Sequence, residues 1–483
     1  MESIRQNRLL VLAGIIFSIL SVYFILENQM LLFVFPIVLL AVYFAIFQIE
    51  KLFLSLFLFT PLSFNIEQFT DGFGLFVPTE PLLFGLMVLL LMKHIQKPVF
   101  PTFLWRNPLV WMVGLYLLWI FITSVTSELP LVSFKFLLVK LWFIIPVLFF
   151  GSIVFLKESN IRAFLWLFII GMVIAMIYTI TIHATYNFGE KESHWVMWPF
   201  FKDHTIYGAL VAFIIPLTIG LYFSKKHTLL VRVILISFIV INFIALYFSY
   251  TRAAWLSVVA AVFVWGFIHF KIKFSWLLSI ASVIGLIVFF SWTSIEQSLS
   301  KNKHEHTTEN FEKRLQSAAN VTTDASNLER INRWSCAIDM FKERPLVGFG
   351  PGTYAFEYAR FQRPENLTII STNFGDGGNA HSEYLGAMAE MGIFGLIAIL
   401  GLVYAIFFQG IKLYHAWPKE DTEIRILILA MILALVTYFV HGTLNNYLDT
   451  DKASVPIWAI CACFIALNYR LKSGKLTENQ NIN

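Results

Sequence analysis

Long apolar runs separated by short polar joints set the organisation of this chain. Candidate spans lie at about 9–26, 30–48, 52–66, 80–94, 108–125, 133–156, 161–182, 205–223, 229–248, 252–270, 274–292, 386–411, 424–443 and 454–470. A bilayer crossing needs roughly 20 predominantly apolar residues, and shorter segments are tolerated inside a bundle. The pattern predicts about fourteen spans, or about twelve if the short early segments are re-entrant or merged. Both counts are even, which predicts both termini on one side. One stretch, roughly 293–385, is too polar to enter lipid. The expected fold class is an all-α polytopic membrane protein. It has an N-terminal bundle over 1–292, a large external segment over 293–385, C-terminal spans over 386–470 and a tail over 471–483.

Loop charge orients this layout. With the N-terminus cytoplasmic, Lys93 to Lys97, Lys225-Lys226-His227, Lys271 to Lys273 and Arg470 to Lys472 fall inside. Glu27, Glu67 to Asp71 and Glu128 fall outside, as the positive-inside rule requires. The polar segment 293–385 is then external. The first apolar run follows Arg5 and Arg8 but ends in Glu27-Asn28-Gln29 without a small-x-small cleavage site, so it reads as a retained span.

Inside the external segment one helix is legible. Ser326-Asn327-Leu328-Glu329 fits a capping box, with Ser326 as N-cap. Leu328, Ile331, Trp334, Ile338 and Phe341 then recur at helical spacing and predict the packed face. At about 100° per residue, Arg330 falls roughly 60° from the centre of that stripe, with Arg333 further out and nearer solvent. Pro345 stops the helix, and Gly348-Phe349-Gly350-Pro351-Gly352 reads as a turn. It lacks the Gly-Lys-Ser/Thr ending of a phosphate loop.

Composition narrows the class. At 58% hydrophobic, 17% aromatic and 13% charged, the chain carries more apolar surface than a soluble domain can hide. Its net charge of +5 sits mostly in short inter-span loops and gives no reason to expect nucleic acid. Cys461 and Cys463 lie in the last apolar run and Cys336 stands alone in the polar segment, so no disulfide framework is expected.

The candidate chemistry gathers at external span ends. His381, in Asn379-Ala380-His381-Ser382-Glu383, precedes a strongly apolar helix at the close of the polar segment. An imidazole there can act as a base or simply hydrogen-bond at the interface. Arg252, in Ser249-Tyr250-Thr251-Arg252-Ala253-Ala254-Trp255, opens a span at its external end. A guanidinium fork beside free helix N–H groups makes a phosphate site; otherwise the side chain snorkels. Lys140, about 10 Å below the external start of its span at ~1.5 Å per residue, either reaches a buried diphosphate or snorkels. Lys202 and His204 precede one span and His441 ends another, where each lines a cleft or caps its helix. Lys301-Asn302-Lys303-His304-Glu305-His306 reads as a solvated loop rather than a metal site, and Asp449-Thr450-Asp451 as an ordinary polar loop.

The ordered set resembles a known pattern: Ser-Tyr-Thr-Arg252-Ala-Ala-Trp at a span junction, then Arg330-x-x-x-Trp334 with Pro345-Leu-Val-Gly348-Phe-Gly350-Pro-Gly352, then His381-Ser382 and Gly392-x-x-Gly395. It is similar to the O-antigen ligase and polymerase family, and the resemblance covers roughly 200–400. It implies a membrane-embedded glycosyltransferase of GT-C-like architecture in the bacterial inner membrane, with its site facing the periplasm. Such an enzyme takes a glycan from undecaprenyl diphosphate to an acceptor hydroxyl, without metal, cofactor or nucleotide sugar. The acceptor is lipid A core for a ligase, another lipid-linked glycan for a polymerase, or a protein hydroxyl for an O-oligosaccharyltransferase; the ligase is favoured. By the family pattern Arg252 and Arg330 hold the diphosphate and His381 is the base. The rival from another class is a transporter or flippase for the same lipid-linked glycan, which would carry polar residues near mid-membrane and a repeat across two halves.

Overall fold

The computed structural model describes residues 34–67, 74–270, 325–362 and 378–474, with a few single positions within 15–23 and 276–287. It comprises two compact units, Met1–Leu56 and Phe57–Asn483. The described helix of the first is α1 (Val34–Phe47), apolar throughout. Next in the chain come α2 (Ile49–Leu62) and a short antiparallel ladder, β1 (Phe64–Asn65) with β2 (Phe76–Val77), pairing Phe64 with Val77 and Asn65 with Phe76. α3 (Thr79–Gln96) carries Glu80 in its first turn and Lys93 and His94 in its last.

Nine helices among the described residues are long and apolar enough to cross a membrane. They are α4 (Pro108–Val125), α5 (Pro130–Val154), α6 (Glu158–Thr185), α7 (His204–Ser224), α8 (Leu229–Phe248) and α9 (Arg252–His269). After α10 (Ala325–Glu343) in the polar segment follow α11 (Glu383–Ala416), α12 (Thr422–His441) and α13 (Asp451–Ser473). Each of the nine matches a predicted span to within a few residues. Predicted spans 9–26 and 274–292 lie largely outside the described residues, as does the His304–His306 loop. The joints end where polar side chains cap them: Asn107 accepts from Leu109 N, Asp203 from Thr205 N and Ile206 N, and Asp421 from Ile424 N.

α7 packs most extensively on α12, while α9 also leans on α12 and α4 on α11. α7, α12 and α13 are largely enclosed. α8 and α9 instead turn Val233, Ile236, Val240, Val259, Val262 and Phe263 outward, the face that acyl chains solvate at no cost.

The face α10 buries most completely is not the predicted one, although Ile331 of the predicted stripe is buried as well. Asn332, Cys336, Ala337 and Met340 are its most enclosed residues, with Phe349, Tyr354, Tyr358, Ala380 and Ala389 around them. At 100° per residue that face lies roughly opposite the Leu328–Phe341 stripe. Both flanks of α10 are covered, so small residues occupy the tight flank and Trp334 and Ile338 sit half-buried on the other. Arg333, expected nearer solvent, is therefore only 4% exposed. Ala325 opens the helix, so Ser326 is already helical rather than its cap.

α11 is broken at Gly392 (φ 66°, ψ −165°). The polar groups that the break releases are taken up by the glycine turn after α10 and by α4. Phe349 N donates to Ala389 O (3.3 Å), Gly350 N to Glu390 O (2.8 Å), Ile393 N to Pro345 O (2.8 Å) and Trp119 Nε1 to Met391 O (2.9 Å). A Cβ on Gly392 would lie 2.3 Å from Leu346 O, and one on Gly348 2.3 Å from Glu390 C. The glycine turn is a clamp on the broken helix. Gly392→Ala combines a glycine-only backbone region, about 1–3 kcal/mol, with overpacking of similar size. The variant is expected to melt well below wild type in a detergent thermostability assay, whereas Gly114→Ala, with nothing within 4 Å of its Cβ, should melt like wild type. Equal melting of all three would refute the clamp.

Candidate active site

Local sequence explains why His381 stands where it does. Ser382 caps α11, its Oγ accepting from Tyr384 N and Leu385 N at 3.3 Å each. That places His381 just before the helix with φ 47°, in the left-handed region. The conformation is held from both sides: Asn379 Oδ1 accepts from His381 N (3.0 Å), and Trp334 Nε1 donates to His381 O (3.2 Å). A non-glycine residue kept there costs of order 1–3 kcal/mol and persists only when its surroundings over-determine it.

The ring meets a turn that joins α12 to α13. His381 Nδ1 lies 3.4 Å from Asn445 Oδ1, and Asn445 Nδ2 lies 3.0 Å from His441 Nε2. Glu383 fastens this turn. Its Oε1 accepts from Tyr447 N (2.7 Å), Leu448 N (2.8 Å) and Tyr438 OH (2.6 Å), and Glu383 N donates to Gly442 O (2.9 Å). Tyr447 OH in turn meets Thr205 Oγ1, beside the Asp203 cap of α7. Thr251 Oγ1 donates to His204 O (2.8 Å), which ties the start of α9, and so Arg252, to the start of α7. Tyr250, at φ 51°, makes the tight reversal possible and anchors it through Tyr250 OH to Phe188 O (2.7 Å).

Arg330 is the cation that reaches across these pieces. Its charge acts on His204, His381 and His441, and His204 feels Arg252 as well. Burial pushes the Arg330 guanidinium below its usual value, while the Tyr447 phenol and the Asp203 carboxylate pull the other way. It stays protonated at any physiological pH. Burial first, then Arg330 and Arg333, push the His381 imidazole down to about 4, against its hydrogen bond to Asn445 Oδ1. The ring is therefore neutral at neutral pH, with its lone pair available.

Of the residues singled out in the sequence, His381, Arg252, Arg330, His204 and His441 come together where α7, α9 and α11 begin and α12 ends. The His204 ring also packs on His194, with centroids 4.1 Å apart. Arg333 is committed elsewhere: its Nε donates to Glu329 Oε1 (2.7 Å) and its guanidinium lies 4.1 Å from the Tyr358 ring centroid. Lys140 neither snorkels nor points at open space. Its Nζ donates to Leu448 O (2.8 Å) and pairs with Asp449 Oδ1 (2.6 Å). Lys202 is exposed beside Trp195 and Trp198 on a depression of about 440 Å³. Asp449-Thr450-Asp451 is not an ordinary polar loop either. Asp449 holds Lys140, and buried Asp451 accepts from Ser63 Oγ (2.6 Å).

Sequence reasoning missed Asn445, Tyr447 and Glu383. The one local signal was the four-residue step from His441 to Asn445 at a helix end; the rest depends on contacts across more than 50 residues. No curated protein matches the chain. Residues 236–400 match the family described as O-antigen ligase. The matched stretch starts within α8 and carries Arg252, Arg330, the glycine clamp, His381 and the break in α11. The match covers about a third of the chain, and over that stretch this polytopic helical bundle is similar to the O-antigen ligase family.

Proposed function

We propose that this O-antigen ligase/polymerase-type glycosyltransferase moves a glycan from undecaprenyl diphosphate to an acceptor hydroxyl at the periplasmic face of the bacterial inner membrane. In this reading segment 293–385 is periplasmic, both termini are cytoplasmic, and the acceptor is the lipid A core. The observation that carries it is His381, fixed at φ 47° by Asn379 and Trp334 with its ring on Asn445, within the field of Arg330.

The chemistry is a single displacement. The acceptor oxygen attacks the anomeric carbon from the face opposite the diphosphate, so configuration inverts. The new C–O bond forms as the old one breaks, its electron pair leaves on the diphosphate, and the hydroxyl proton passes to His381. Arg252 and Arg330 supply positive charge to the leaving group through preorganised, charge-assisted hydrogen bonds. Arg252 sits at a helix N-terminus that itself favours anions. His204 adjoins this cluster, within the field of both arginines.

The test uses cells lacking the protein, complemented with wild type or with His381→Ala, comparing surface glycolipid with lipid-linked glycan on one gel. Ligase activity predicts long polymer trapped on the lipid carrier and bare lipid A core in both the deletion and the His381→Ala strain. Single repeats on the core would identify a polymerase instead. Loss of glycan from secreted proteins alone would identify a protein O-oligosaccharyltransferase. No change in any pool would refute the transferase reading and favour transport.

A further inference from the structure

His381 shares its inner nitrogen with a short polar chain that displacement chemistry does not by itself require. Asn445 is 2% exposed and His441 1% exposed, so both are removed from water and must be satisfied within the protein. Asn445 presents Oδ1 to His381 Nδ1 and Nδ2 to His441 Nε2. A side-chain amide has distinct ends, one accepting and one donating. Donation from Nδ2 requires a lone pair on His441 Nε2, so His441 carries its proton on Nδ1; the main chain of Ala253, next to Arg252, also acts on this side chain. Acceptance at Oδ1 requires a proton on His381 Nδ1. The lone pair of His381 is then on Nε2, the nitrogen turned away from Asn445.

The opposite amide orientation would have the opposite effect. Nδ2 would face His381 Nδ1, the proton would move to Nε2, and the outer nitrogen could no longer accept a hydroxyl proton. Which nitrogen of a histidine holds the proton is set by the bond the other makes. The turn carrying Asn445 is itself fixed by Glu383 through Tyr447 N and Leu448 N, and by Lys140 through Leu448 O and Asp449.

We propose that Asn445 and His441 are positioning residues that hold His381 in the Nδ1–H tautomer, aiming the Nε2 lone pair at the acceptor hydroxyl. The inference rests on the reading of His381 as the base. When Nε2 takes the proton, Asn445 Oδ1 keeps its hydrogen bond to the imidazolium and does not itself take a proton. The 3.4 Å separation is long for a finished bond, and catalytic contacts of this kind tighten in the substrate complex.

The test reads the tautomer directly and then the rate. Full-length protein labelled with ¹⁵N-histidine in lipid is examined by solid-state NMR, and His381 is assigned by its loss in His381→Gln. The expected signal is Nδ1–H with an unprotonated Nε2; Nε2–H in wild type overturns the proposal without any variant having to fold. Asn445→Leu should convert the signal to Nε2–H or a mixture. It should lower turnover of undecaprenyl-diphosphate-linked glycan by about 10–100-fold, part of the ~10²–10⁴ a positioned base supplies. Affinity for undecaprenyl diphosphate should be unchanged. Asn445→Asp should retain Nδ1–H and turnover while moving the acid limb of the pH–rate profile upward, because a carboxylate favours the imidazolium. The charged groups acting on the ring are Arg330, Arg333 and Glu329 on α10; Glu383, in the first turn of α11, and the titratable His441, beyond Asn445, are the other ionisable groups next to it. An Asn445→Leu enzyme with wild-type turnover and pH profile overturns the inference alone. A fully active His381→Gln enzyme overturns the base assignment beneath it.

Discussion

Replacing His381 by asparagine is expected to lower turnover by about 10²–10⁴-fold, the worth of a positioned base, while donor binding stays near wild type. Asparagine is the better probe than alanine because the position has φ 47°. Asn tolerates that backbone and alanine does not, so His381→Ala adds strain to the loss of chemistry. The ring makes its polar contact with Asn445 rather than with an arginine, so its removal leaves the cationic half of the site intact. Undecaprenyl diphosphate affinity, measured by native mass spectrometry in detergent, separates the two effects. Lost affinity together with lost turnover would mean that His381 binds the lipid rather than accepting a proton. Wild-type turnover would end the base assignment.

Arg330→Ala should produce the second large effect, of a different kind. A charge-assisted bond contributes roughly 1.5–3 kcal/mol, so donor affinity should fall about 10–100-fold at ~1.4 kcal/mol per decade. Because the same contact strengthens as the diphosphate departs, turnover should fall by a further ~10²–10³. Arg330→Lys should recover little, since an ammonium lacks the planar fork that grips two oxygens. A third signature follows from the field at His381. Arg330 is one of the groups that depress that imidazole to about 4, so its removal should raise the acid limb of kcat/KM toward the ordinary histidine value. Arg252→Ala should share the affinity loss, because Arg252 opens α9 beside the same cluster. Unchanged donor affinity in both variants would place the diphosphate elsewhere.

The parts of this architecture legible in sequence are those set by local chemistry. Apolar runs bounded by Asn107, Asp203, Ser382 and Asp421 mark span ends because each side chain caps the helix it precedes. His381 and Arg252 are legible because a charged or ionisable group at a span end needs a reason to be there, whereas Arg330, on a helix of the polar segment, is legible only through the ordered motifs of the family resemblance. α10 was misread because periodicity reports the more apolar side of a helix, and a helix covered on two sides can bury its small residues instead. Arg333 and Lys140 show the same limit. Each is satisfied by a carboxylate, Glu329 or Asp449, and for Lys140 that partner lies more than 300 residues away. Asn445 is illegible for the same reason, since an asparagine in a turn has no local signature of what it will face.

The break in α11 separates two environments that one continuous helix would have joined. Residues 383–391 are tied to the glycine turn, to α4 and, through Glu383, to the turn bearing Asn445, while 393–416 form the apolar span. A span answers changes in bilayer thickness by tilting. With a continuous helix, that tilt would swing His381 through an arc at the far end of a long lever. With glycine torsions at the junction, the lower part can lean while the upper two turns stay registered to their partners. The break therefore gives the support of the imidazole an anchorage of its own, set by the glycine turn and the Asn445 turn rather than by the axis of the span alone.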